Sequence, residues 1–100
     1  MSAVKNPYLE EARHIAREVL RNYDADVYLF GSWATGTQRR TSDIDIAIEP
    51  HRPLPPGTLS ILRERFEEST IPYFVDVVDL SEADEKFRTR VHREGIRWTV

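Results

Sequence analysis

From Asp43 to Ile48 the chain alternates strictly: Ile44, Ile46 and Ile48 are interleaved with Asp43, Asp45 and Ala47. A repeat of two is the side-chain period of a β-strand, so the isoleucines share one face and the acids the other. The core must then lie on the isoleucine side, leaving two carboxylates together on the open side. Like charges that close raise each other's pKa unless a cation compensates. A solvated strand face is the plain alternative. A structural strand, however, has little reason to place two acids there.

The surrounding elements follow from periodicity. Leu9, Ala12, Ile15, Ala16, Val19 and Leu20 form one stripe, which predicts a helix over 7–21 with Asn6 as N-cap and Pro7 at the first helical position. Asn22 to Asp26 reads as a turn, and Val27 to Phe30 as a short strand. Gly31-Ser32-Trp33-Ala34-Thr35-Gly36 is a tight strand-to-helix turn bracketed by two glycines, and Thr37 to Ser42 a polar loop. Pro50, Pro53, Pro55 and Pro56 end the isoleucine strand and stiffen the connection to a second helix near 58–68. Tyr73 to Leu80 is a third strand. Ser81 opens a third helix, which carries Phe87 and Val91 and stops at Gly95 as C′ residue. The order α-β-β-α-β-α predicts an α/β fold, a small mixed sheet backed by helices. With no linker, repeat or low-complexity tract in 100 residues, a single domain over 1–100 is expected.

The charge distribution narrows the function. Net charge is −3, but residues 43–80 hold three Lys/Arg against eight Asp/Glu, while the flanking segments are slightly basic. This argues against a broad nucleic-acid-binding surface, so no direct nucleic-acid binding is expected. It does suit a cation site. The absence of Cys excludes disulfides, thiolate metal sites and Cys nucleophiles. No apolar run approaches a membrane span and Met1 to Pro7 has no signal-like apolar segment, so a cytoplasmic protein is expected.

The third strand also carries acids, Asp76 in its middle and Asp79 near its end. If strands two and three are neighbours, Asp76 stands beside Asp43 and Asp45. Three clustered carboxylates suit Mg²⁺ or Mn²⁺, which take oxygen ligands and bind together with a nucleotide's phosphates. The Gly31-Ser32 turn adds backbone N–H groups, a close backbone approach and one hydroxyl, which suit phosphate. A cation site beside an anion cradle is the equipment of metal-assisted phosphoryl chemistry.

Gly31-Ser32, ten residues, then Asp43-Ile44-Asp45 resembles the signature of the nucleotidyltransferase superfamily related to DNA polymerase β. With its Val75-Asp76-Val77-Val78-Asp79 strand, the chain resembles the minimal nucleotidyltransferases (MNT), many of which pair as antitoxin with a HEPN-domain toxin. The signature covers about residues 27–48. The resemblance implies a polymerase-β-like fold and transfer of AMP from ATP to an acceptor hydroxyl. In these pairs the acceptor is a tyrosine of the HEPN toxin. It implies that Asp43 and Asp45 hold metal, that Asp76 completes a metal site and assists deprotonation of the acceptor, and that Gly31 and Ser32 grip the triphosphate. Members often carry Arg where this chain has Thr35; Arg39 and Arg40 read as loop charges, with contact to phosphate in place of that Arg as the alternative. Two other readings stay open: an antitoxin that neutralises its partner by complex formation alone, and a nucleotidyltransferase acting on a small molecule or RNA with a separate substrate-binding subunit.

The remaining conspicuous residues have plain readings. Asp79 caps the helix after Leu80, Trp33 packs, and His14, His51 and His92 are surface or boundary residues without a spaced partner. Ile96 and Trp98 pack on the core or face a partner. Arg88, Arg90, Arg93 and Arg97 form a solvated basic face or meet an acidic partner.

Overall fold

The computed structural model describes residues 6–39 and 42–98. Helix α1 (Pro7–Leu20) starts where expected: the Asn6 carboxamide oxygen accepts from the backbone N–H of Tyr8 at 2.8 Å and of Leu9 at 3.3 Å. Strand β1 (Ala25–Phe30), the single-turn helix α2 (Ser32–Thr35), β2 (Ile44–Pro50), α3 (Thr58–Glu67) and β3 (Val75–Asp79) follow. A 3-10 turn over Leu80–Glu82, helix α4 (Glu85–Glu94) and a short strand β4 (Ile96–Trp98) complete the chain.

The four strands form one mixed sheet in the order β3-β2-β1-β4. β1 runs antiparallel to β2 and β4, whereas β2 and β3 are parallel. Strict alternation sends Val27, Leu29, Ile44, Ile46, Ile48, Val75 and Val77 to one face. There they pack with Ala12, Ile15, Ala16 and Leu20 of α1 and Leu62 and Phe66 of α3. Ile44, Ile46 and Ile48 are fully buried, so the isoleucine face is the core face as the sequence predicted.

Several boundaries differ from expectation. β1 begins two residues early because Ala25 and Asp26 find partners in Pro50 and Glu49. The third strand is shorter than Tyr73–Leu80. Ser81 does not open the third helix: Asp79 caps the 3-10 turn, accepting from the Ser81 backbone N–H at 2.9 Å, and α4 starts after Asp84, whose carboxylate accepts from the Phe87 N–H at 2.8 Å. Gly95 is not a left-handed C′ residue, since its backbone is extended (φ −77°, ψ 161°). Glycine is needed there for space instead. A Cβ would lie 2.6 Å from the Val91 carbonyl oxygen and 3.2 Å from that of Leu29.

The fourth strand was not anticipated. Through it Trp98 packs on the core, whereas Ile96 is left exposed. The acid face of the sheet is not open along its length either. Buried Ala47, Leu80 and Val91, with Phe30, Tyr28 and Phe87 beside them, form a second apolar cluster that holds α4 across it. Helices therefore lie on both faces, and Asp45 and Asp76 are accessible at the end of the sheet that this cluster leaves open.

Candidate active site

Register builds this end of the sheet. In the parallel β2–β3 pairing Asp45 stands opposite Asp76, and in the antiparallel β1–β2 pairing Asp45 stands opposite Phe30, the last residue of β1. The chain must turn immediately after Phe30, and it does so over the Asp45 carboxylate. Gly31 has φ +76°, a region L side chains rarely adopt, and a Cβ on it would lie 2.3 Å from Asp45 Oδ2. Gly31 is thus required by conformation, and a methyl group there would also push the Asp45 carboxylate aside. Gly36 closes α2 in a left-handed conformation with nothing near its missing Cβ, so it is a turn glycine only.

Asp43 lies one residue before β2 and is exposed. Two contacts fix its surroundings: Trp33 Nε1 donates to the Ser42 carbonyl at 3.2 Å, and the Ile44 N–H donates to the Phe74 carbonyl at 2.9 Å. Trp33 also meets the Tyr73 ring edge-on at 5.3 Å, the packing role expected of it. Asp45 is half-buried and Asp76 exposed. Burial, and then the charges of Asp76 and Asp43, push the Asp45 carboxyl above its ordinary value of 3.8. All three acids therefore share one field, and a carboxylate held ionised in it calls for a cation. The donor set is oxygen only, which fits a hard divalent ion such as Mg²⁺ or Mn²⁺.

A cleft of about 500 Å³ joins these parts. Gly31, Ser32, Thr35 and Thr37 form one wall, Asp45, Asp76 and Val78 the floor, and Phe87, Arg90, Val91 and Glu94 of α4 the other wall. Of the five residues singled out in the sequence, Gly31, Ser32, Asp45 and Asp76 line this cleft; Asp43 does not line it, though its charge acts on Asp45. Asp79 instead borders a larger groove of about 910 Å³ between the proline connector and the start of α3, away from the acids.

Thr35 is exposed at the cleft wall, its hydroxyl donating to the Gly31 carbonyl at 3.3 Å and meeting Thr37 Oγ1 at 3.0 Å. Arg39 is exposed and does not line the cleft, and Arg40 lies outside the described residues. The α4 wall was missed by sequence reading. Its signal was present, because residues 87, 90, 91 and 94 repeat at i, i+3, i+4 and i+7 and so share one helical face.

The three histidines are exposed, as expected of surface residues, and the fold sets two of them against acids distant in sequence. His51 Nε2 lies 2.9 Å from Asp26 Oδ2, and His92 Nε2 lies 3.0 Å from both Glu49 oxygens. Arg97 also donates to Asp26, at 3.0 Å. Among the described residues, Asp26, Glu49 and His51 are the group whose ligand atoms all lie within 4.8 Å of one another. They sit at the opposite end of β1 and β2 from Asp45, and their carboxylates are already engaged by Arg97 and His92.

Comparison with known proteins agrees with this geometry. A family model described as polymerase beta, nucleotidyltransferase matches residues 15–98. MntA of Haemophilus influenzae, a probable protein adenylyltransferase, is 31% identical over 90 residues, which cover 90% of this chain and 77% of that protein. A chain in the crystal structure of a toxin–antitoxin with AMP-PNP superposes with a TM-score of 0.68 at 31% identity, over 87% of this chain and 72% of that one. A complex of a tri-AMPylated HEPN toxin with its MNT antitoxin from Shewanella oneidensis shares the fold, with a TM-score of 0.62 at 24% identity over 90% of this chain and 71% of that one. A match over most of the chain, with both glycine turn and acids inside it, places the protein in the polymerase beta nucleotidyltransferase family.

Proposed function

We propose that the chain transfers AMP from ATP to a tyrosine hydroxyl of a partner HEPN-domain toxin, silencing it as an antitoxin, in the cytoplasm and with Mg²⁺. The observation that carries this reading is the pairing of Asp45 with Asp76 under the Gly31 turn, in one cleft. Its resemblance at 31% identity to a probable protein adenylyltransferase supports the reaction. The AMP-PNP-bound toxin–antitoxin neighbour and the AMPylated HEPN complex support the nucleotide and the partner. Among the described residues no helix is long and apolar enough to cross a membrane. Residues 1–100 act in this reading as a single domain.

Each residue has a task. Gly31 and Ser32 receive the triphosphate, the glycine letting backbone and phosphate approach and the serine adding a hydroxyl. Asp43, Asp45 and Asp76 hold the divalent metal. When bound, it neutralises charge that develops on the phosphoryl oxygens and orients attacking and leaving groups. Asp76, exposed at the solvent side, faces the acceptor and takes the proton of its hydroxyl. The acceptor oxygen forms a bond to the α-phosphorus, the bond from that phosphorus to the bridging oxygen breaks, and pyrophosphate leaves. Phe74, strongly exposed two residues before Asp76, offers a protein acceptor an apolar contact next to the chemistry.

The test is label transfer from α-labelled ATP with Mg²⁺, this protein and the HEPN-domain product of a neighbouring gene. Label should appear on the partner and be lost with EDTA, with Asp43→Asn or with Asp45→Asn, while circular dichroism stays unchanged. A stable complex that silences its partner with no label would overturn catalysis in favour of neutralisation by binding. Full activity in either variant would overturn the assigned mechanism.

A further inference from the structure

The cleft that receives the nucleotide in the reading above is short of positive charge. Its glycine-turn wall contributes only hydroxyls and backbone, from Ser32, Thr35 and Thr37, and its floor is acidic. Among the described lining residues a single cation is present, Arg90. The four arginines of the last elements separate cleanly in space. Arg88 is spent on the carbonyls of Leu80 and Ala83, Arg97 donates to Asp26, and Arg93, which does not line the cleft, pairs with Glu94. Arg90 is largely exposed and lines the cleft beside Phe87 and Val91, across from the Gly31-Ser32 turn.

The state of this side chain matters. Its only neighbouring acid on α4 is Glu94, with Nε 3.6 Å from Oε1, a long contact between two largely exposed groups. Such a pair is weak and readily exchanged. A guanidinium carries five donors in a planar fork that matches phosphate oxygens two at a time, far better than it matches one distant carboxylate.

We propose that Arg90 grips the polyphosphate tail of the nucleoside triphosphate from the α4 side, exchanging Glu94 for phosphate oxygens and setting the preference for triphosphate over monophosphate. The inference rests on the nucleotidyl-transfer reading. It assigns to α4, beyond packing, the task of closing the charge balance of the cleft.

The experiment is calorimetric titration of the full chain, with Mg²⁺, by a non-hydrolysable ATP analogue and separately by AMP. Removing one charge-assisted phosphate contact with Arg90→Gln should weaken the analogue about ten- to a hundred-fold and change AMP binding less than about two-fold. Arg90→Lys should recover part of the loss. Arg93→Gln, an equal change of charge one turn away outside the cleft, should leave both ligands as in wild type. Circular dichroism checks that α4 is retained. If wild type binds the analogue and Arg90→Gln binds it equally well, the assignment of Arg90 fails and the nucleotidyl-transfer reading stands. Equal weakening of analogue and AMP would also overturn it. If wild type binds neither ligand, the underlying reading fails with it.

Discussion

At Gly31 backbone conformation and contact make the same demand. The residue sits at φ +76° with Asp45 Oδ2 only 2.3 Å from where a Cβ would be. Gly31→Ala is therefore expected to cost about 1–3 kcal/mol through strain and to displace the Asp45 carboxylate. Thermal unfolding should show the destabilisation and label transfer should fall to background; a variant with unchanged melting and transfer would contradict the contact. Residue-level features of this kind were partly legible. The Gly-Ser turn and the spacing to Asp43 and Asp45 stood out because a small residue after a strand and an acid pair within one are each unusual. Asp76 was separable from Asp79 because mid-strand acids have no local partner, whereas Asp79 could cap the next turn, as it does at 2.9 Å from the Ser81 N–H. What no spacing revealed was that Gly31 touches Asp45, since that contact depends on the β1–β2 register.

Elements with a full apolar period were readable: α1, α3 and β2 each span enough residues for the repeat to show. Those without one were not. β4 is three residues long, too short for an alternation to be seen, and its existence depends on the vacant edge of β1. The start of α4 was misplaced because Ser81 and Asp84 are both good N-caps, and only the 3-10 turn at Leu80–Glu82 decides between them. Gly95 links the two elements. Gly95→Ala would drive a Cβ against the Val91 and Leu29 carbonyls, which belong to α4 and β1. We expect a loss of about 2 kcal/mol, measured by urea unfolding, with hydrogen exchange at Arg97 and Trp98 accelerated as β4 detaches. Unaltered exchange there would mean that the junction tolerates the methyl.

Over the whole molecule, the acid face of the sheet has two ends with opposite electrostatic solutions. At one end Asp45 and Asp76 lie together with no ion pair to a cation among the described residues; at the other, Asp26 meets His51 and Arg97, and Glu49 meets His92. Burial raises the Asp26 carboxyl, but hydrogen bonds from His51 and Arg97 outweigh it and hold it below 3.8. The hydrogen bond to Asp26, against a smaller opposing effect of desolvation, raises His51 above 6.5. For the raised histidine, the stabilising contribution is complete below 6.5 and fades as pH climbs through its folded value. For the lowered acid, it is complete above 3.8 and fades as pH falls through its folded value. The advantage of wild type over His51→Gln in urea unfolding should thus be largest near about pH 5 and gone by about pH 9. An advantage independent of pH would indicate packing rather than charge. These pairs join residues 25, 43 and 71 positions apart, which is why a chain read in order showed three histidines without partners. Local order alone was enough for the isoleucine core face, the capped first helix and the nucleotidyltransferase signature, because alternation, capping and motif spacing are short-range properties of a chain. Strand order, register and the seat of α4 arise from contacts between distant segments, so only the folded molecule could bring Asp76 to Asp45, lay Gly31 on its carboxylate and turn Arg90 into the same cleft.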